Sequence, residues 1–456
     1  MKNEHIELAK NQRSFFETHA TKTYDFRINQ LKKLKKAIDT YENEIIEALR
    51  KDLNKPEFEA YATEIGIIYD EINFSINNLS DWMQKQEVNT PLLHFPSESF
   101  IVNEPLGVVL IIAPWNYPFQ LTIGPLIGAI AAGNCAILKP SEFTPNTSAL
   151  LSKIIAENFN QNYIALVEGE GHTIIPNLME NFVFDHVFFT GSTAVGKNIA
   201  QLAAKNLVPT TLELGGKSPA IIHEDANLKV AAKRIIWGKF INAGQTCVAP
   251  DYLLIHKNIK AEFVQLLKTE IAELSLESKN FTKIINQKRF NVLKTYLTEG
   301  NIIIGGEMDE KVLYISPTLI ENLDKNAKVM QDEIFGPILP IFSYENLIEV
   351  FEFIQTHKNP LALYLFTNNE KTEEEILTKI PFGGGCINNT LIHLGNPELP
   401  FGGRGNSGMG SYHGKFGFNV FSHQKAIIKT STWLDPSIKY PPYSELKTKL
   451  IKMVMK

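Results

Sequence analysis

An α/β fold built on parallel sheets is predicted by three features of the chain. Short, wholly apolar runs such as Val108 to Ile112 alternate with helical patterns from Gly107 onward. Strands with no polar face need helices on both sides, which marks parallel βαβ units. The alternation begins again after Glu213, so two such units are expected, divided near Leu214 to Lys217. Finally, a glycine-bearing turn, Gly191-Ser192, stands between an apolar run and a helical pattern, the junction at which parallel sheets present backbone amides.

Bulk properties narrow the class. A chain of 456 residues is too long for one ordinary core, so two or three domains are expected. Its composition, 44% hydrophobic and 21% charged, suits a substantial interior. The formal net charge of −5 offers no attraction for nucleic acid or acidic membrane. Cys135, Cys247 and Cys386 lie far apart without CxxC pairs, which argues for a reducing, cytoplasmic setting. Met1 to Glu7 has no apolar h-region, so no signal peptide is expected.

The elements follow in order. Residues from about 5 to 85 read as helices, with Leu31, Leu34, Ile38, Ile45 and Leu49 at helical spacing among lysines and glutamates. The apolar stretch Leu121 to Leu138 approaches membrane-spanning length, but its glycines, Pro125 and Asn134 indicate a buried helix followed by a strand. Ala136 to Leu138 and His186 to Thr190 read as strands, separated by a helix at about Thr147 to Phe159. Another helix runs from Ala194 to Lys205, and Ala220–Ile222, Tyr252–Ile255 and Leu363–Phe366 are later strands. Past the break at Pro441-Pro442, Leu446, Leu450, Ile451 and Val454 share one side of a lysine-bearing helix. That tail suits packing, a partner contact or peripheral membrane contact.

Several motifs carry chemistry. Gly191-x4-Gly196-Lys197 nearly completes a phosphate-binding P-loop, yet Asn198 stands where magnesium needs a hydroxyl. An ATPase is therefore disfavoured, and the turn remains a candidate phosphate site. Lys139-Pro140-Ser141-Glu142 follows a strand and opens a helix with Ser141 as its cap. There Lys139 can reach ribose or phosphate, and Glu142 can accept from ribose hydroxyls while repelling a 2′-phosphate. Cys247, closing Asn242-Ala243-Gly244-Gln245-Thr246-Cys247, is a candidate nucleophile, although a lone cysteine is more often a small buried hydrophobe. Glu213 is a candidate base, and Asn116 in Pro114-Trp115-Asn116-Tyr117-Pro118 can donate to an oxyanion. His393, His413 and His423 lack ligand spacing, so no metal site is expected.

With Asp332-Glu333-Ile334-Phe335-Gly336-Pro337 and Leu399-Pro400-Phe401-Gly402-Gly403, these segments resemble the aldehyde dehydrogenase superfamily from about residue 10 to 430. Gly244 to Tyr252 and Asn406 to Lys415 are similar to the class 3 and fatty aldehyde branch. Arg404 and Asn396-Pro397-Glu398 depart from the pattern, near the region that selects the aldehyde.

The resemblance implies a Rossmann-like cofactor domain (1–86 and 106–214), an α/β catalytic domain (215–416) and a bridging β element (87–105 and 417–435). The tail would occupy 436–456. It implies Cys247 as nucleophile, Glu213 as base for the deacylating water, and Asn116 with the Cys247 amide around the oxyanion. Trp115, Lys139, Glu142, Gly191, Ser192, Thr193, Gly196, Glu333 and Phe335 would line the NAD site, with NADP also accepted by members of the branch. Tyr117 and Phe401 would favour medium or long aliphatic, or aromatic, aldehydes. A homodimer is expected. Discharge of the acyl group to CoA is the alternative chemistry, and a non-catalytic protein on the same scaffold is the bland one.

Overall fold

The computed structural model describes residues 2–274 and 280–455. Helices fill the first 83 residues, and Leu31, Leu34, Ile38, Ile45 and Leu49 are fully buried, as their spacing predicts. Two largely parallel sheets follow, in the Rossmann-like manner expected. The first has six strands in the order Gly408–Met409, Thr210–Glu213, His186–Thr190, Val108–Ile112, Cys135–Lys139, Ile164–Leu166. From Val108–Ile112 the chain steps outward through two strands, then crosses back to the other side at His186–Thr190. That reversal opens a crevice beyond the carboxyl ends of those two strands, the usual seat of a nucleotide.

The second sheet runs Asn301–Ile304, Thr318–Glu321, Ile338–Tyr344, Tyr252–His256, Pro219–Ile222, Ala362–Phe366, Gly384–Ile387. Residues 214–218 carry the chain from the carboxyl end of one first-sheet strand to the amino end of Pro219–Ile222. Carboxyl ends of the first sheet thus meet amino ends of the second. Gln86–Val88, Ser97–Pro105 and Ser422–Thr430 form a separate antiparallel sheet with mostly exposed positions.

Three differences from the sequence reading have physical causes. Helix Pro145–Asn158 begins close to the expected Thr147, but Ser141 is not its cap. Asp52, from a distant helix, accepts from the amides of Asn146 and Thr147 at 3.1 and 2.7 Å and replaces a local cap. Strand Ile338–Tyr344 went unread because Pro340 lacks an amide donor. The strand tolerates it because residues 338–340 pair with one neighbour and residues 341–344 with the other. Lastly, Gly408–Met409 pairs antiparallel with Thr210–Glu213, so a segment assigned from sequence to the second unit closes the edge of the first sheet.

Candidate active site

Cys247 lines a cavity of about 520 Å³ whose wall is mainly apolar. Tyr117, Leu121, Trp237, Val248, Phe401 and Tyr412 lie in that wall, with Thr63, Gln120, Thr246, Asn396 and His413 among its polar interruptions. Phe58 and Ile392 also line it yet stay 79% and 56% exposed, which puts them at its mouth. The sequence before Cys247 is bent sharply. Asn242, Ala243 and Gly244 all have positive φ, at 53°, 54° and 71°. A Cβ on Gly244 would strike the Gly336 carbonyl, so only glycine fits this turn. Left-handed backbone at Asn242 and Ala243 costs about 1–3 kcal/mol each, the kind of strain that gathers at functional sites.

Hydrogen bonds hold that turn against the Trp115–Tyr117 segment. Asn116 Nδ2 donates to the Gln245 carbonyl at 3.0 Å, which uses one amide hydrogen and leaves the other. Asn242 Nδ2 donates to the carbonyls of Asn116 and Gln245 at 3.0 and 3.1 Å. The Tyr117 hydroxyl is 2.6 Å from Thr246 Oγ1. Burial pushes the Cys247 thiol far up, and the charges of Glu333 and Glu213 raise it further. Its own amide and that of Val248 work in the opposite direction.

Glu213 ends strand Thr210–Glu213 and is buried, with neither carboxyl oxygen hydrogen-bonded to a described residue. Burial alone holds its pKa well above the ordinary carboxylate range. Glu333 is raised to about 8, chiefly by burial and then by Asp251. Its loop is clasped from below: Lys217 pairs with Asp251 and donates to the carbonyls of Val329 and Asp332 at 2.9 and 3.0 Å. Asp251 Oδ1 accepts from the Ile334 amide at 3.0 Å, and Arg289 donates to the carbonyls of Glu333 and Ile334. Phe335, at φ 44°, meets Trp115 edge-on at 5.2 Å between ring centres. Neither Glu213 nor Glu333 is in the cavity wall, although the charges of both act on the Cys247 thiol.

The switch-point crevice has its own polar set. Lys139, ending strand Cys135–Lys139, is buried and lies 3.2 Å from Glu142. The Gly171 amide donates to the other Glu142 oxygen at 3.0 Å. Burial raises Glu142, but backbone amides and Lys139 outweigh it and leave its pKa lowered. Beyond strand His186–Thr190, Ser192 caps helix Thr193–Ala204 by accepting from Val195, and Gly196 packs under Leu214. The helix start is partly open, with Gly191 half-buried and Ser192 exposed.

The aldehyde dehydrogenase family model matches residues 2–427. The chain belongs to the aldehyde dehydrogenase family. Over 455 residues it is 49% identical to the 4,4'-diaponeurosporen-aldehyde dehydrogenase of Staphylococcus aureus, covering 98% of each chain. It is 42% identical to aldehyde dehydrogenase family 3 member A2 of Mus musculus, covering 97% of this chain and 92% of the relative. A solved structure of Staphylococcus aureus AldH in a substrate-bound state superposes with a TM-score of 0.96, at 48% identity and 99% coverage of each chain. Family enzymes take a nicotinamide cofactor, and solved members hold NAD+ or NADP.

In this aldehyde dehydrogenase the sequence-expected residues gather into two groups. Cys247, Tyr117 and Phe401 share the cavity wall, with Asn116 bonded just behind Cys247. Trp115 and Phe335 meet through their rings, Lys139 pairs with Glu142 at the end of strand Cys135–Lys139, and Gly191, Ser192 and Gly196 mark the start of helix Thr193–Ala204. Thr193 differs: its hydroxyl donates to the Asn406 carbonyl and is turned to a neighbouring loop. The sequence reading missed Asn242, Lys217, Asp251 and Arg289 as supports. Asn242 and Lys217 were legible in hindsight, being polar residues beside motif glycines, whereas Arg289 has no local signal.

Proposed function

We propose that the enzyme oxidises an apolar aldehyde, medium or long aliphatic or aromatic, to its carboxylic acid through a Cys247 thioester. The observation that carries this reading is Cys247 in an apolar cavity wall, with the Asn116 amide bonded to the Gln245 carbonyl behind it. Attack needs a deprotonated sulfur, so the half-buried thiol passes its proton to a carboxylate, Glu213 or Glu333. A C–S bond forms as the carbonyl π pair moves to oxygen, and the free Asn116 hydrogen and the Cys247 amide hold the oxyanion. As the oxyanion pair re-forms the C=O bond this carbon gives up hydride and becomes the thioester carbon, and a nicotinamide held in the crevice would supply the hydride acceptor. Glu213 then takes a proton from water, the hydroxyl adds to the thioester, and the C–S bond breaks to release the acid.

The crevice suits a dinucleotide at a topological switch point, with Lys139 and Glu142 toward the adenosine ribose and the start of helix Thr193–Ala204 toward the pyrophosphate. Glu142 is tied down by both Gly171 and Lys139, which favours NAD over a cofactor bearing a 2′-phosphate. Glu333 and Phe335 suit the nicotinamide ribose and ring. Hydrolysis is favoured over CoA discharge by a buried Glu213 whose oxygens are free for water.

A panel of aldehydes with NAD and with NADP tests the reading, Cys247→Ser serving as control. It should span aliphatic chain lengths, aromatic aldehydes and 4,4'-diaponeurosporen-aldehyde, the namesake of the staphylococcal relative. Apolar aldehydes with NAD should turn over best and yield free acid whether or not CoA is present. Substantial turnover by Cys247→Ser, or an acyl-CoA product, would overturn the scheme.

A further inference from the structure

Lys55 and Glu64 form an ion pair with both side chains fully buried, outside the groups that take part in the chemistry above. Among the described residues, the side-chain hydrogen bonds that Lys55 and Glu64 make beyond their own end on residues 116 to 120, and Lys55 also faces the Glu59 carboxyl electrostatically. Lys55 Nζ is 2.5 Å from Glu64 Oε1 and donates to the Asn116 backbone carbonyl at 3.3 Å. It also lies 4.3 Å from the centre of the Tyr117 ring. Glu64 Oε2 accepts from the amides of Phe119 and Gln120 at 2.9 and 3.2 Å.

A buried ion pair is a poor way to gain stability, because desolvating two charges offsets most of their attraction. Apolar residues of similar volume generally serve as well. The contacts made here are directional instead. Lys55 and Asn242 both donate to one carbonyl, and that carbonyl belongs to the residue whose side chain reaches Gln245. We propose that Lys55, held by Glu64, is a positioning residue that locks the Asn116 peptide so its amide stays aimed at the oxygen of the carbonyl attacked by Cys247. The proposal rests on the reading of Asn116 as oxyanion donor.

A double-mutant cycle on single-turnover NADH formation tests it. Lys55→Met with Glu64→Gln removes both charges of the pair together and keeps an acceptor for the Phe119 and Gln120 amides. In the native background this replacement should slow hydride transfer roughly 10- to 100-fold, the scale of a small misplacement, with the KM for aldehyde little changed. In an Asn116→Ala background the same replacement should cost less than about twofold, since no amide remains to be aimed. Glu64→Gln alone provides a second variant, expected to show a smaller loss with the same dependence on Asn116. Equal losses in both backgrounds, or an undiminished rate, overturn the positioning role. Failure of both variants to fold also overturns it, because the pair is then a stability element. A full rate in Asn116→Ala by itself instead overturns the oxyanion assignment beneath the proposal.

Discussion

Asn116 is a small side chain with a divided task, and that division makes its removal informative. One amide hydrogen is fixed on the Gln245 carbonyl at 3.0 Å, so the other has a set direction. An oxyanion donor is typically worth about 2.7–4 kcal/mol, so Asn116→Ala should lower turnover roughly 100- to 1000-fold. A loss under about fivefold in steady-state assays would contradict the role. Glu213 gives a pH signature. Burial raises its pKa, so the carboxylate that serves as base forms only above the ordinary carboxylate range. Deacylation should therefore rise with pH, and Glu213→Gln should flatten that limb and let the acyl-enzyme accumulate, seen as an NADH burst and by intact-protein mass spectrometry. If the limb persists, Glu333, whose pKa is raised to about 8, is the base. Cys247, Glu213, Asn116 and Glu333 were legible because each sits inside a short motif. Their pKa shifts were not, since burial belongs to the assembled site.

At the scale of elements, the sequence was most readable where local periodicity and burial agree. Strand Val108–Ile112 and strand His186–Thr190 fall where unbroken apolar runs predict them, and every position in both is buried. Helix Pro145–Asn158 shows the opposite case. Its start depends on Asp52, whose carboxyl also accepts from the Asn146 side chain at 2.7 Å and the Thr147 hydroxyl at 2.8 Å. Asp52→Ala should cost about 0.5–2 kcal/mol, the range for a lost helix cap, and lower the melting temperature. The KM for NAD should stay near native, because the helix is tethered at its far end by buried Ile154 and Ile155. A denaturation midpoint equal to that of the native chain would mean the cap is redundant. No local rule reveals a cap delivered from 94 residues away, as Asp52 is from Asn146.

For the whole molecule, the two sheets meet end to end, and the site lies at their junction. The three-stranded sheet stands apart and leaves Leu92, Phe95, Ile428 and Trp433 exposed at 78%, 56%, 55% and 73%. Helix Glu445–Met455 has no buried residue and touches the 92–94 turn. Among the described residues no helix is long and apolar enough to cross a membrane. We propose that this apolar surface pairs with a second copy of the chain, giving a homodimer. Light scattering should report twice the chain mass, and Phe95→Glu with Trp433→Glu should shift it toward the monomer. A native chain that is monomeric at assay concentration would reject the pairing. Membrane contact by the tail is tested by vesicle binding of the full chain and a chain ending at Tyr440, and equal binding would exclude it.

By itself the sequence determined the fold class, the positions of several main strands along the chain, and which motifs hold candidate reactive groups. It could do so because apolar periodicity and short motifs are local. Tertiary structure alone decided which carboxyl is buried without a partner, which carbonyl orients Asn116, and which distant residue caps a helix. Those are properties of groups far apart in the chain, as Asp52 is from Asn146 by 94 residues and Asn116 from Gln245 by 129. Their meeting is set by how the two sheets and the leading helices pack, so no window along the sequence contains them.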